Sequence, residues 1–205
     1  ILLPNLLFLM WQPFFEGYVL WIDSFVAPIL LASFYFALRF EKLKELKDLV
    51  CLGFLLGIST LFKQVTLPLI IIYLIYLWYK YKKLKFVEYT LVGLILPSFY
   101  LLYFVSQNRI WSDFIYWTLT FNLTIFSEMG RKYVTINEFI KLLPTYGLVF
   151  AGLFYNLIKY KKKFISKEIV LLAIFFTGSL FFSYARFDYV HLQPSLTFVV
   201  LIIAY

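Results

Sequence analysis

The chain has 205 residues, 63% of them hydrophobic and only 15% charged; a soluble domain carries about a quarter charged residues, so an exterior covered by water is excluded. Cys51 is the only cysteine and His191 the only histidine, which excludes an internal disulfide and a zinc site built on several His and Cys ligands. The net charge of +8 is not a nucleic-acid footprint, because the lysines cluster in short connections between apolar runs.

A chain of long apolar runs takes lipid as the solvent of its exterior, and a lipid-spanning backbone must be helical or form a closed barrel. Barrel strands alternate apolar and polar residues. Leu67 to Trp78 is apolar on all sides. The expected fold class is therefore all-α, a polytopic transmembrane helical bundle of about eight spans or part-spans. In chain order, the first span ends near Met10. The second runs from Tyr18 to Leu38. A close pair follows at Leu49 to Phe62 and Val65 to Tyr79. Further spans run from Phe86 to Ser106, Phe139 to Ile158, Ile169 to Tyr184, and from Leu192 onward. Residues 1–205 read as one membrane domain with a longer outer loop at Gln107 to Glu138. Both ends fall inside apolar runs, which suggests a fragment cut from a longer chain.

Basic residues set the orientation. Arg39, Lys42, Lys44 and Lys47 lie in one connection, and Lys80, Lys82, Lys83 and Lys85 in a second. Lys159, Lys161, Lys162, Lys163 and Lys167 lie in a third. Short loops rich in Lys and Arg stay cytoplasmic, so all three belong inside. Between two inside loops the chain crosses an even number of times, so Leu49 to Tyr79 must be a hairpin. As one helix it would run on the order of 46 Å, too long for a core of about 30 Å. Lys63 and Gln64 then form its outer tip.

This orientation sends the unusual polar residues outward: Glu16, Asp23, Lys63, Gln64, Asn108, Arg109, Asp113, Glu128, Arg131, Lys132, Arg186, Asp188, His191 and Gln193. Lys63 sits between two apolar helices. It reads either as a cation for the phosphate of a lipid-linked substrate or as a helix-end lysine snorkelling to headgroups. Tyr184 to Pro194 is a dense polar and aromatic tip. There Arg186 offers a fork for phosphate or carboxylate, Asp188 a partner to orient it, and His191 a hydrogen bond or a proton shuttle. Tyr184 and Tyr189 offer stacking surfaces for a sugar. The competing reading of this tip is an interfacial belt with a local Arg–Asp pair. Asp23 stands between a catalytic base or metal ligand and a helix-start cap; Glu16 reads as a cap. Ser112 or Asp113 can cap an interfacial helix that carries Trp111, Phe114 and Trp117.

The segment Gly53-Phe54-Leu55-Leu56-Gly57-Ile58-Ser59-Thr60-Leu61-Phe62-Lys63-Gln64 resembles the short helix pair of GT-C-type membrane glycosyltransferases. The segment Tyr184-Ala185-Arg186-Phe187-Asp188-Tyr189-Val190-His191-Leu192-Gln193-Pro194 is similar to an outer loop in bacterial relatives of the polyprenyl/dolichyl-phosphate-mannose protein mannosyltransferase group. The resemblance implies a glycosyltransferase in the bacterial plasma membrane. It would move a sugar from a polyprenyl-phosphate donor to a lipid, glycan or protein acceptor on the extracytoplasmic face. It implies an acidic base in a first outer loop and often a divalent metal, Mg or Mn. Lys63, Gln64, Arg186, Asp188 and His191 would then serve the donor. The base would lie before Ile1, with Asp23 the one candidate within the chain. A transporter or flippase, or a glycan polymerase acting on a lipid-linked substrate, is the rival expectation.

Overall fold

The computed structural model describes residues 2–15, 21–125, 132–159, 166–184 and 187–204. Among these the chain is all-α, with no strand. The principal helices are α1 (Leu2–Trp11), α2 (Ile22–Leu43), α3 (Leu46–Phe62), α4 (Leu67–Tyr81) and α5 (Leu84–Gln107). The short α6 (Trp111–Ile115) runs on through a π-helical turn, Tyr116–Thr120. After it come α7 (Ile136–Leu142), a second π-helical turn at Leu143–Gly147, α8 (Leu148–Lys159), α9 (Lys167–Leu180) and α10 (Gln193–Ala204).

Three helical segments are long and apolar enough to cross a membrane: Ile22–Leu43, Gln64–Tyr81 and Leu84–Gln107. Their outward faces are apolar too. Ile71, Ile75, Trp78, Phe99 and Tyr100 are all more than half exposed, a surface suited to lipid. The buried faces meet in a core of Phe34, Phe40, Leu52, Tyr73, Phe175 and Phe198, with rings packed mostly edge to face.

Side-chain contacts fix the direction of each helix. The end of α2 meets the start of α3 through Arg39 and Asp48, and meets the end of α4 through Glu41 and Lys80. The start of α2 meets the end of α3 through Asp23 and Lys63. So α3 runs against α2, and α4 against α3, as the hairpin reading requires. Backbone at Lys63 is extended (φ −149°, ψ 119°), and a 3₁₀ turn at Gln64–Thr66 leads into α4 with Pro68 in its first turn. We call this the tip end of the bundle, and the opposite one the basic end. The close of α1, the close of α9 and the start of α10 all gather at the tip end.

The basic connections are shorter than the sequence suggests. Arg39 and Lys42 belong to α2, Lys80 to α4 and Lys85 to α5. Each of the first two links is a two-residue turn whose first residue, Lys44 (φ 59°) or Lys82 (φ 50°), adopts the left-handed conformation. Its N–H returns to the carbonyl of Phe40 or Trp78. The helices can carry charge this far because Glu41 is neutralised where it lies, by Lys44 and Lys80.

α3 and α5 run side by side in the same direction with backbones touching. A Cβ added at Gly53 would lie 2.1 Å from the carbonyl oxygen of Thr90, and one at Gly93 would lie 2.1 Å from that of Val50. Small residues are what permit such approach between helices in lipid. The interfacial segment differs from the sequence reading in one respect. The residue preceding α6 is Ile110, with no side-chain cap, and Ser112 and Asp113 lie inside the helix.

Candidate functional site

The tip of the α3–α4 hairpin is held by its own hydroxyls. Thr66 Oγ1 donates to the carbonyl of Lys63 (2.9 Å), so Ser59 Oγ, 3.0 Å away and buried, donates to Thr66 Oγ1. The N–H of Lys63 returns to the carbonyl of Ser59 (2.9 Å). A lysine on so constrained a backbone has its side chain aimed, and it is aimed at the start of α2. Lys63 Nζ donates to both oxygens of Asp23, at 2.8 and 2.7 Å, and lies 3.2 Å from His191 Nδ1. His191 Nδ1 is in turn 3.1 Å from Asp23 Oδ2. The ammonium also lies 5.9 Å from the centre of the Phe182 ring.

His191 is positioned by its own loop. Asp188 Oδ1 accepts the backbone N–H of His191 (3.1 Å), closing the 3₁₀ turn Val190–Leu192. Gln193 anchors the next residues: its amide donates to the carbonyl of Phe15 (2.8 Å) and its oxygen accepts from Ser24 (2.7 Å). Tyr146 donates to Ser195 Oγ (2.6 Å), whose own proton goes to the carbonyl of Leu192. The start of α2, the hairpin tip and the start of α10 are thus locked around one charged trio.

Burial within the trio is uneven. Asp23 is 1% exposed, whereas the Lys63 side chain keeps 23% of its surface open and that of His191 keeps 20%. Asp23 lies beneath the two bases with both oxygens occupied. That placement suits orienting Lys63 and His191; an acceptor hydroxyl has no open approach to the carboxylate. Asp23 is not the helix-start cap, a role that would need a side-chain bond to the first turn; the residue at the cap position of α2 is Trp21, and Asp23 is the second residue of the helix.

Of the residues singled out from the sequence, Lys63, Asp23, His191 and Asp188 come together. Gln64 opens the 3₁₀ turn and is exposed; its carbonyl accepts the Leu67 N–H, and its side chain makes no hydrogen bond or ion pair with another described residue. Arg186, Glu16, Glu128 and Arg131 lie outside the described residues, and with Arg186 goes the expected Arg186–Asp188 pair. Tyr184 is exposed, whereas Tyr189 packs edge-on against Phe15. Beside the loop lies an apolar cleft of about 440 Å³, walled by Tyr146, Phe150, Tyr184, Phe187 and Leu192, with Lys132 at its edge.

A divalent metal does not fit this trio. The ammonium of Lys63 already occupies the position between the carboxylate of Asp23 and the imidazole of His191, and a second cation there would meet like charge. Among the described residues no three His, Cys, Asp or Glu side chains converge as a metal site.

Sequence reasoning did not find the partnership of Asp23 with Lys63. A signal existed, since a lone acid at the head of an apolar segment and a lone cation at a hairpin tip each need a partner. It also did not find the basic-end network, where buried Glu41 accepts from Lys44 (2.9 Å), Lys80 (2.8 Å) and Tyr76 (2.8 Å), and Lys44 also meets the hydroxyl of Tyr81.

Comparison with protein-family models, with characterised proteins and with solved structures returned no match. Fold and site therefore define a class from this chain alone: an all-α protein with three membrane-length apolar helical segments and a charged trio gathered at one end of the bundle.

Proposed function

We propose that the chain is part of an integral-membrane glycosyltransferase that takes a sugar from a polyprenyl-phosphate donor and passes it to a lipid, glycan or protein acceptor. The observation that carries this is the meeting of Lys63 and His191 over buried Asp23, with the hairpin tip and the Tyr184–Pro194 loop brought to one place. These are the two segments that resemble the GT-C enzymes. In this reading the open faces of Lys63 and His191, with Arg186 from the same loop, contact the donor phosphate. The apolar cleft beside them takes the first part of its hydrocarbon chain.

The helices alternate in direction, which supports a multi-pass protein with short part-spans between the three long segments. The links at Lys44 and Lys82 share one end of the bundle and the trio the other. With lysine-rich links in the bacterial cytoplasm, the trio faces outward. The catalytic base then belongs to a part of the enzyme outside these residues.

The rival is a transporter or flippase for a lipid-linked solute. Transport sites sit near mid-depth, at broken helices. Here the charged groups occupy helix ends, which favours surface chemistry. In the full-length protein, Lys63→Ala and Arg186→Ala are expected to abolish sugar transfer while membrane insertion stays intact. Full transfer by both variants would remove the basis of the assignment, and solute uptake into vesicles without transfer would favour the transporter.

A further inference from the structure

An ammonium has three N–H donors and no acceptor. At Lys63 all three have a taker: Asp23 Oδ1 (2.8 Å), Asp23 Oδ2 (2.7 Å) and His191 Nδ1 (3.2 Å). The position of the nitrogen is therefore right for an anion, but its hydrogen bonds are already spent. The third taker is conditional. His191 Nδ1 lies between Lys63 Nζ and Asp23 Oδ2 (3.1 Å). As a bare nitrogen it accepts from Lys63 and faces the carboxylate with lone pair against lone pair. With a proton on Nδ1 it donates to Asp23 and no longer accepts from Lys63. One proton on this ring thus decides whether Lys63 keeps a free N–H. Among the described residues, the charged groups around the ring are Asp23 from α2, Lys63 from the hairpin tip and Asp188 from its own loop, with Asp188 Oδ1 3.7 Å from Nδ1.

We propose that Asp23 and His191 form a latch that holds Lys63 donor-saturated while His191 Nδ1 is bare, and that in this state a phosphate ester engages Lys63 only by taking over a hydrogen bond from one of them. Asp23 and His191 are in this respect positioning residues that set affinity downward. The uneven burial fits such an exchange. The carboxylate is sealed beneath, while Lys63 and His191 present their open sides to an incoming group. A simple structural ion pair has no need of the third group or of the open side. The latch rests on the reading of Lys63 as the donor-phosphate contact, and it adds what the phosphate must displace.

The test is a binding measurement, independent of sugar transfer, on the full-length protein in lipid nanodiscs. The probes are a ten-carbon prenyl phosphate and inorganic phosphate, the first carrying a hydrocarbon chain and the second none. Lys63→Met is expected to lose binding of both. Asp23→Asn removes the competing charge while keeping the side chain's shape, and should tighten both by about tenfold. His191→Leu frees one N–H and should tighten both by about threefold. A purely structural Asp23 predicts the opposite sign, weaker binding in Asp23→Asn. If Lys63→Met loses binding and Asp23→Asn is unchanged or weaker, the latch is overturned and the phosphate contact stands. If Lys63→Met binds both probes like the unaltered protein, latch and contact both fall. Tightening seen with the prenyl phosphate alone assigns the effect to the hydrocarbon chain and overturns the latch. Should Asp23→Asn fail to insert, His191→Leu decides: tighter supports the latch, unchanged or weaker overturns it.

Discussion

Each end of α2 holds one buried carboxylate, and the two are solved differently. Glu41, 6% exposed, is met at the basic end by two lysines and a tyrosine, Lys80 and Tyr76 from α4 and Lys44 from the turn after α2. Asp23, 1% exposed, is met at the tip end by one lysine and one imidazole, and the imidazole is also within reach of that lysine. Glu41 sits in an excess of donors, and no change in any one of them leaves it bare. The Asp23 trio has no excess: three groups share one set of hydrogen bonds, so any newcomer must exchange with a member. The same fold thus carries a clamp at one end and an exchangeable site at the other.

The sharpest break between the ends is functional. Lys63→Ala is expected to lower sugar transfer by on the order of a hundredfold or more, the scale for loss of a charged contact in a water-poor site. Lys80→Ala at the basic end should leave transfer near the unaltered level. Equal losses in the two would erase the distinction.

Gly53→Ala touches neither end and calibrates both. Its added Cβ would meet the carbonyl oxygen of Thr90 at 2.1 Å, so α3 and α5 must part. Overpacking of this kind costs about 1–3 kcal/mol, read as a lower midpoint of thermal unfolding in detergent. Glu41→Gln keeps the shape of the clamp and removes its charge. We expect about 1–2 kcal/mol of lost stability with transfer preserved, the converse of the result at Lys63.

The smallest effect lies in the segment leading into α8. Thr135 and Glu138 form a capping box at the start of α7. Hydrogen bonds from the Thr135 backbone, then from Lys132 and the Thr135 hydroxyl, hold the Glu138 carboxyl down at about 2. Because its folded value is depressed, its contribution is fully present above the ordinary value of 4.5 and fades as pH falls toward 2. Amide exchange across Ile136–Leu142, corrected for the intrinsic rate, should quicken over that interval. In Thr135→Ala it should be quicker already at neutral pH, with less change on acidification.

Much of this architecture was legible because lipid imposes strong rules. The run lengths marked the helices, and the parity of basic links required a hairpin at Leu49–Tyr79, which the extended backbone of Lys63 and the opposed contacts of Asp23 and Glu41 display. The helix ends were less legible. Arg39, Lys42 and Lys80 look like loop residues until Arg39 is seen paired with Asp48 and Lys80 with Glu41. Gly53 and Gly57 stood out as part of a motif, but their reason, the touching backbones of α3 and α5, needs three dimensions. At the site, Lys63 and His191 could be chosen by type and by side. The partnership with Asp23 could not, since separations of 40 and 168 residues leave no local trace.

The central claim is that a lipid-linked phosphate seats at the tip end against Lys63 and His191. It is tested most directly by photocrosslinking a prenyl phosphate that carries a diazirine next to its phosphate, then mapping the adducts by mass spectrometry. The account predicts adducts on Lys63–Thr66 and Val190–Gln193, competed away by unlabelled prenyl phosphate and absent from Lys63→Met. Adducts confined to the turns at Lys44 and Lys82, or unaffected by Lys63→Met, would contradict it.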